Sequence, residues 1–188
     1  MEIMLIRHGK SERSNIPKLT INEYKNWKDE YDRLGVIESK SKFFVEASRH
    51  ITRAEYVFTS SLYRSQHSLT LLTPGIKATP NDIFNEVNFR SPNLKGIRLS
   101  TRLWTFLTGA FWYSGLVKEH ETLEQVVERA IAASEILTRA SEKGIVALVG
   151  HGFINLFIYK ELKKRGWKEI NKFSSKNWSC TRLELLEG

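Results

Sequence analysis

The stretch Ile3-Met4-Leu5-Ile6-Arg7-His8-Gly9 is the starting point for interpreting this chain. Its first four residues are apolar without alternation, which is typical of a strand that is buried on both faces of a sheet. The next three place a guanidinium, an imidazole and a glycine that permits a sharp turn directly after that strand. Ligands of open α/β sheets bind beyond the carboxyl ends of the strands, so the stretch predicts an anion site that contains a histidine.

Strand and helix patterns alternate along the rest of the chain. Two more apolar runs predict buried strands, at Tyr56–Phe58 and Ile145–Val149, and a partly alternating run at Trp178–Leu186 predicts a strand near an edge. Helical spacing predicts helices over 38–52, 61–72, 122–142 and 153–165, the third with a Thr122/Gln125 capping box. The predicted fold is α/β: a three-layer α/β/α sandwich around a mostly parallel sheet. No linker or repeat divides the sequence, so a single domain is expected over residues 1–188.

Polar residues follow the other two buried strands as well. Ser60 or Ser61 is the expected N-cap of a helix whose first turn carries Arg64, and Gly150-His151-Gly152 opens the helix after the third strand. Free N–H groups at helix N-termini favour phosphate. Three strand ends that carry such residues predict one basic pocket.

These segments resemble the motifs of the histidine phosphatase superfamily, which is also called phosphoglycerate-mutase-like. The resemblance is carried, in chain order, by Leu5-x-Arg7-His8-Gly9-x-Ser11, Ser60-x-Leu62-x-Arg64, Phe84-Asn85-Glu86 and Val149-Gly150-His151-Gly152. It implies that His8 attacks phosphorus and forms a phosphohistidine, while Arg7, Arg64 and His151 hold the phosphoryl oxygens. Glu86 would protonate the leaving oxygen and later activate water. The resemblance implies no cofactor and no metal.

Two positions of the resemblance stay open. Asp82 or Glu12 is an alternative to Glu86 as the proton donor. The superfamily often has an asparagine six residues after the nucleophile, but this chain has Ser14 there, followed by Asn15. Either Ser14 or Asn15 is therefore expected to reach the phosphate.

Composition limits the range of partners. The chain has 188 residues, a net charge of +8 and one cysteine, Cys180. The positive charge favours anionic ligands: phosphate and a phosphorylated small molecule or phosphoprotein. No nucleic-acid motif is present, so no nucleic-acid partner is expected. The lone cysteine excludes an internal disulfide, and the start of the chain lacks a basic, apolar leader, so a cytoplasmic location is expected.

Residues 103–117 form an uncharged, aromatic-rich stretch. It is too short for a stable membrane span, for which about 20 apolar residues are needed, although an interfacial membrane contact stays open. We expect a helix or loop that covers part of the core or the mouth of the substrate site.

Three functions remain in competition. The first is a phosphomonoester hydrolase. The second is a phosphoglycerate-mutase-like phosphotransferase, which needs a larger lid to keep water from its phosphoenzyme. The third is a catalytically silent protein of the same fold that binds phosphate or a partner.

Overall fold

The computed structural model describes residues 1–12, 18–89, 94, 96–115 and 121–186. Its strands in chain order are β1 (Glu2–Arg7), β2 (Tyr56–Thr59), β3 (Thr79–Pro80), β4 (Val146–Gly150), β5 (Lys168–Glu169) and β6 (Cys180–Glu184). Its helices are α1 (Ile21–Arg33), α2 (Lys42–Ile51), α3 (Tyr63–Leu72), α4 (Thr101–Tyr113), α5 (Leu123–Ser141) and α6 (Gly152–Lys164), with a short 3-10 helix at Asp82–Phe84.

The six strands form one sheet in the order β3-β2-β4-β1-β6-β5. The pairs β3–β2, β2–β4 and β4–β1 are parallel, whereas β6 runs antiparallel to both β1 and β5. The predicted mostly parallel sheet is therefore confirmed. The last predicted strand lies next to the edge strand β5, as its partial alternation indicates.

Helices cover both faces of the sheet, and the alternation of β1 shows why. Ile3 and Leu5 point to one face, where they pack with buried residues of α5 and α6. Met4 and Ile6 point to the other face, against α2 and α3. A strand with apolar side chains on both faces has to be covered twice, which produces the predicted three-layer sandwich.

The ends of two predicted helices show how local hydrogen bonds set boundaries. Thr122 caps α5 in the predicted capping box with Gln125. The predicted N-cap of α3 is wrong: Leu62 occupies that position, with no side-chain capping bond. The serine hydroxyls are used elsewhere, since Ser60 bonds His151 and Ser61 donates to Asp82.

Four elements are not predicted by the sequence patterns, one of which is the 3-10 helix at Asp82–Phe84. The two-residue strands β3 and β5 are too short to show a period. Helix α1 is missed because its mean hydropathy is low and charged residues surround its few buried ones, Ile21 and Tyr24. In the described ranges, no helix has the length and apolar character that crossing a membrane requires.

Candidate functional site

The sheet order brings the predicted site residues together. Strands β2, β4 and β1 are adjacent and parallel, so their carboxyl ends meet at one edge. Arg7 pairs with Gly150 in the ladder, which sets His8 beside His151. The two imidazole centroids lie 5.0 Å apart with the rings tilted by 58°. The convergence predicted from three separate strand ends is present in the structure.

His8 is a buried imidazole with one nitrogen left for chemistry. Its Nδ1 lies 2.7 Å from the carbonyl oxygen of Gly9, and because a carbonyl only accepts, Nδ1 carries the proton. Nε2 then keeps its lone pair and has no hydrogen-bond partner among the described residues. Burial lowers the pKa of His8 well below 6.5, and the charges of Arg64 and Arg7 lower this pKa further. The ring is therefore neutral near pH 7, as a nucleophilic nitrogen has to be.

Both predicted arginines are held in the same way. Arg7 donates through Nη1 to the carbonyl oxygen of Ser175, and Arg64 donates through Nη1 to Asp32 Oδ1 at 2.6 Å. In each guanidinium Nε is buried and lacks a partner within the described part of the chain. The open Nε–Nη2 edge presents two parallel donors, which is the geometry that binds two oxygens of a phosphate.

His151 is also buried and neutral. Burial is the largest cause that lowers its pKa well below 6.5, followed by the charge of Arg64. Its Nε2 lies 2.6 Å from Ser60 Oγ, which accepts a hydrogen bond from the amide of Leu62. The hydroxyl proton can then go to Nε2, which favours the proton of the neutral ring on Nδ1. That nitrogen is buried without a partner among the described residues and is thus a donor suited to an oxyanion.

Glu86 is held at the start of α6. Its Oε1 accepts hydrogen bonds from the amides of Ile154 at 3.1 Å and Phe153 at 3.2 Å. Two of the N–H groups that the sequence analysis offered to phosphate thus bind a carboxylate instead. Of the three acids considered as proton donors, Glu86 lines the pocket that contains His8, whereas Asp82 and Glu12 do not. The Asp82 carboxylate accepts hydrogen bonds from the side chains of Ser61 and Asn85.

Arg129 of α5 sets the position of the loop that carries Glu86. Its Nη1 donates to the carbonyl oxygens of Ile83 and Asn85, at 2.9 and 2.7 Å, just ahead of Glu86. The rest of its guanidinium pairs with Glu121. No local pattern in the sequence links an arginine of α5 with this loop.

The Arg-His-Gly turn rests on residues that sequence reasoning missed. Asn177 Nδ2 donates to the carbonyl oxygens of His8 and Gly9, both at 3.1 Å. The amide of Gly9 donates to Ser68 Oγ, which in turn bonds the carbonyl oxygen of Arg64. Ser68 lies one helical turn after Arg64, so helical spacing could have indicated it. Asn177 lies far along the chain, and its spacing gives no such signal.

Ser14 and Asn15 lie outside the described residues, so their predicted contact with phosphate stays a prediction. Ser11, a member of the quoted motif, lines the pocket. Its hydroxyl is buried and lacks a hydrogen-bond partner in the ranges that the structure describes. It is an additional candidate donor to a bound ligand.

The pocket extends well beyond the phosphate end and measures about 740 Å³. One wall is α1, with Tyr24, Trp27 and Tyr31, and another is the face of α4 that carries Thr101, Thr105 and Thr108. Residues 103–113 of the aromatic stretch belong to α4, which lines the pocket and also covers core, since Trp104 and Trp112 are buried, while residues 116–117 lie outside the described residues. The prediction of a helix that covers core is confirmed for residues 103–113, and a role at the mouth of a substrate site stays a prediction.

The assembled groups match the chemistry of a phosphate ester. A neutral imidazole nitrogen, two guanidinium edges and a carboxylate share one pocket and can supply a nucleophile, anion binding and proton transfer. Within the described ranges, no three His, Cys, Asp or Glu residues are grouped so as to hold a metal ion.

Comparison with known families gives one match over almost the whole chain. The sequence model described as histidine phosphatase superfamily (branch 1) matches residues 3–188. A search of curated protein sequences finds no match.

Solved structures share the fold at low sequence identity. An open reading frame product of Mycobacterium tuberculosis superposes with a TM-score of 0.65 at 15% identity, covering 100% of this chain and 92% of its own. An Entamoeba histolytica phosphoserine phosphatase mutant in complex with phosphoserine gives 0.63 at 14% identity, covering 96% and 89%. A Bacillus anthracis phosphoglycerate mutase gives 0.61 at 15% identity, covering 97% and 86%. Each comparison supports the fold.

Proposed function

Because the chain belongs to the histidine phosphatase superfamily, we propose that it is a phosphomonoester hydrolase that works through a phosphohistidine on His8. The observation that carries the proposal is the state of His8. It is a neutral ring with its proton on Nδ1, and its free Nε2 shares a pocket with the open edges of Arg7 and Arg64. A phosphoryl group held by those edges would be presented to Nε2.

In the first step, Nε2 of His8 attacks phosphorus and the bond from phosphorus to the ester oxygen breaks. Arg7, Arg64 and His151 stabilise the negative charge on the phosphoryl oxygens. Glu86, in its protonated form, gives its proton to the departing alcohol oxygen. The products of this step are the free alcohol and phosphohistidine.

In the second step, water attacks the phosphoryl group and the Nε2–phosphorus bond breaks. The Glu86 carboxylate accepts the proton from the water as the new bond forms. Inorganic phosphate leaves, and His8 returns to its neutral form. The residues supply positive charge without a cofactor, so the reaction is proposed to be independent of metal ions.

We favour hydrolysis over return of the phosphoryl group to a substrate. A mutase has to keep water from its phosphoenzyme. The pocket volume of about 740 Å³ leaves room for water next to a phosphoryl group on His8. The substrate is proposed to be a phosphorylated small molecule or a phosphorylated protein side chain.

A cytoplasmic location is part of the proposal and rests on the single cysteine. Cys180 is buried, and burial raises the pKa of its thiol to about 12. Such a thiol is unreactive, which suits a protein that uses no disulfide.

The central test is hydrolysis of p-nitrophenyl phosphate in the presence of a chelator. Wild type should release phosphate, and His8→Ala should lose at least about a thousand-fold in kcat. His50→Asn, which changes a histidine of α2 outside the pocket, is the matched control. Equal rates for wild type and His8→Ala, or a requirement for added metal, would overturn the proposal.

Rapid quenching with labelled substrate separates the three candidate functions. A hydrolase gives an acid-labile phosphoenzyme that decays to inorganic phosphate. A mutase gives the same phosphoenzyme but converts phosphoglycerate isomers without net phosphate release. A silent protein gives neither. Phosphometabolites and phosphopeptides, with free phosphoserine among them, then define the substrate class.

A further inference from the structure

We propose that Asp32 is a positioning residue, which holds Arg64 so that its Nε–Nη2 edge meets the phosphoryl group. Asp32 belongs to α1 and lies outside every motif of the resemblance. The inference rests on the proposed function only in taking a phosphoryl group as the bound anion.

The contact between the two side chains fixes the orientation of the guanidinium. Asp32 Oδ1 lies 2.6 Å from Arg64 Nη1, and the Arg64 side chain is only 3% exposed. Nη1 is the terminal nitrogen on the Cδ side of the guanidinium. A carboxylate at Nη1 therefore leaves Nε and Nη2, which share the opposite side, open together for an anion.

Tyr31, the residue before Asp32, supports the flat face of the same group. The Arg64 Cζ atom lies 5.2 Å from the centre of the Tyr31 ring, within the range of cation–π attraction. Consecutive residues of α1 thus hold the guanidinium at one end and on one face. Rotation about the Arg64 side chain would break both contacts.

Helix α1 is itself fixed, so it is a suitable support. From Tyr31 a series of ring contacts continues to Trp27, Tyr24 and Trp104, with centroids 4.9, 5.6 and 6.1 Å apart. At the other end, Thr20 and Glu23 form a capping box. Movement of Asp32 would therefore require movement of a helix that is packed against α4.

A carboxylate beside a phosphate site has an electrostatic cost, which makes its presence informative. A negative charge near a phosphoryl group repels it. Arg7 is held by the neutral carbonyl oxygen of Ser175, so an arginine can be anchored here without that repulsion. Lys28, with Nζ 3.9 Å from the other carboxylate oxygen of Asp32, offsets part of the charge. We infer that the gain in phosphoryl binding from a correctly oriented Arg64 outweighs the remaining repulsion between Asp32 and the phosphoryl group.

The test measures phosphate binding and turnover in the same set of full-length variants. Asp32→Ala removes the acceptor, and Asp32→Asn keeps an oxygen in its place without the charge. Glu128→Gln is the control, since Glu128 is an exposed acid of α5 that lies outside the pocket and makes no ion pair within the described residues. Inorganic phosphate is the probe in calorimetry, and p-nitrophenyl phosphate is the substrate in kinetics.

We expect Asp32→Ala to lower kcat/KM by about ten- to a hundred-fold, mostly in kcat, and to weaken phosphate binding. Asp32→Asn should recover most of both losses. Glu128→Gln should change either quantity by less than about three-fold, as is usual for an exposed charge. In an Arg64→Lys background, Asp32→Ala should cost little more, because the group that it positions is gone.

Other outcomes would overturn the inference. Unchanged or tighter phosphate binding in both Asp32 variants would make Asp32 only a repulsive charge. An equal loss in the wild-type and Arg64→Lys backgrounds, or a lower stability in urea with unchanged kinetics, would make its role structural. If wild type binds phosphate but turns over no ester, the proposed function fails while the binding data still decide the role of Asp32. If wild type does neither, both proposals fail.

Discussion

At the scale of residues, the two histidines of the site are neutral for a physical reason. Both are buried, and both lie near the charges of Arg7 and Arg64, so protonation would place a third positive charge in the same pocket. Unfolding exposes these rings to water, where they bind protons below about pH 6.5. Acid therefore favours the unfolded chain, and the free energy of unfolding should fall as the pH drops below that value.

The lowered pKa of His8 predicts the pH dependence of the reaction. The proposed attack by His8 requires the neutral ring, so activity is expected above the pKa of His8 in the folded protein and should be lost as the pH falls through this pKa. The acidic limb of kcat/KM, corrected for ionisation of the substrate, should lie below pH 6.5. In Arg64→Gln it should move up towards 6.5, because one repelling charge is gone. Arg102→Gln is the control, because Arg102 lines the pocket but is not among the charges that lower the pKa of His8, and the acidic limb should stay in place in this variant. An acidic limb at or above pH 6.5 in wild type would contradict the assignment of this limb to His8.

The proposed role of Glu86 predicts a dependence on the leaving group. An alkyl alcohol is a poor leaving group and needs a proton, whereas p-nitrophenol leaves readily without one. In single-turnover measurements, Glu86→Gln should slow phosphorylation of His8 by an alkyl phosphate by about 10²- to 10³-fold, and by p-nitrophenyl phosphate far less. Asp82→Asn, which alters an acid outside the pocket, is the control. Equal slowing with both substrates would remove Glu86 from the role of proton donor.

At the scale of elements, the segment before β6 wraps around the turn after β1. Trp178 adopts a left-handed backbone with φ of 65°, and its buried ring lies against Gly9. Phe44 of α2 also packs against the Trp178 ring, with the two ring planes at an angle of 87°. Glycine is therefore needed at position 9 for close approach of a side chain.

Gly9→Ala tests this contact. A Cβ at position 9 would clash with Cζ2 of Trp178, and the indole is itself buried and packed against Phe44. We expect the free energy of unfolding in urea to fall by about 1–3 kcal/mol. Gly109→Ala is the control, because its Cβ would make an ordinary contact at 3.5 Å with Phe153. Replacing glycine by alanine within a helix should raise the free energy of unfolding by about 0.5–1 kcal/mol. An unchanged urea midpoint for Gly9→Ala would contradict the clash, because it would show that the turn can shift. A higher urea midpoint in Gly9→Ala/Trp178→Leu than in Gly9→Ala would support it.

At the scale of the whole molecule, the sequence predicts what depends on local pattern. Apolar runs without alternation predict the buried strands, and their carboxyl ends predict the meeting of His8, Arg64 and His151. The meeting also requires these strands to be parallel neighbours, as they are in the order β2-β4-β1, because the carboxyl ends of such strands lie at the same edge.

The parts that sequence reasoning missed depend on distant contacts. Asp32 meets Arg64, and Asn177 meets the His8 turn, only because the tertiary fold brings α1 and the segment before β6 to the same edge. Neither contact leaves a period or a spacing in the sequence. Helix α1 was missed for the same reason: its support comes from a series of aromatic contacts with α4 rather than from a wide apolar face.

The position of β1 between β4 and β6 has a consequence for synthesis on the ribosome. β1 is translated before the strands that pair with it, which begin only at Val146 and Cys180. The apolar segment Ile3–Ile6 therefore stays without its native neighbours while most of the chain emerges, and an exposed apolar segment of this kind favours association with other chains during that time. His8 cannot be fixed beside His151 until β4 has been translated and has paired with β1. A nascent chain that ends before β4 thus already carries His8 but not the neighbouring residues that form its pocket.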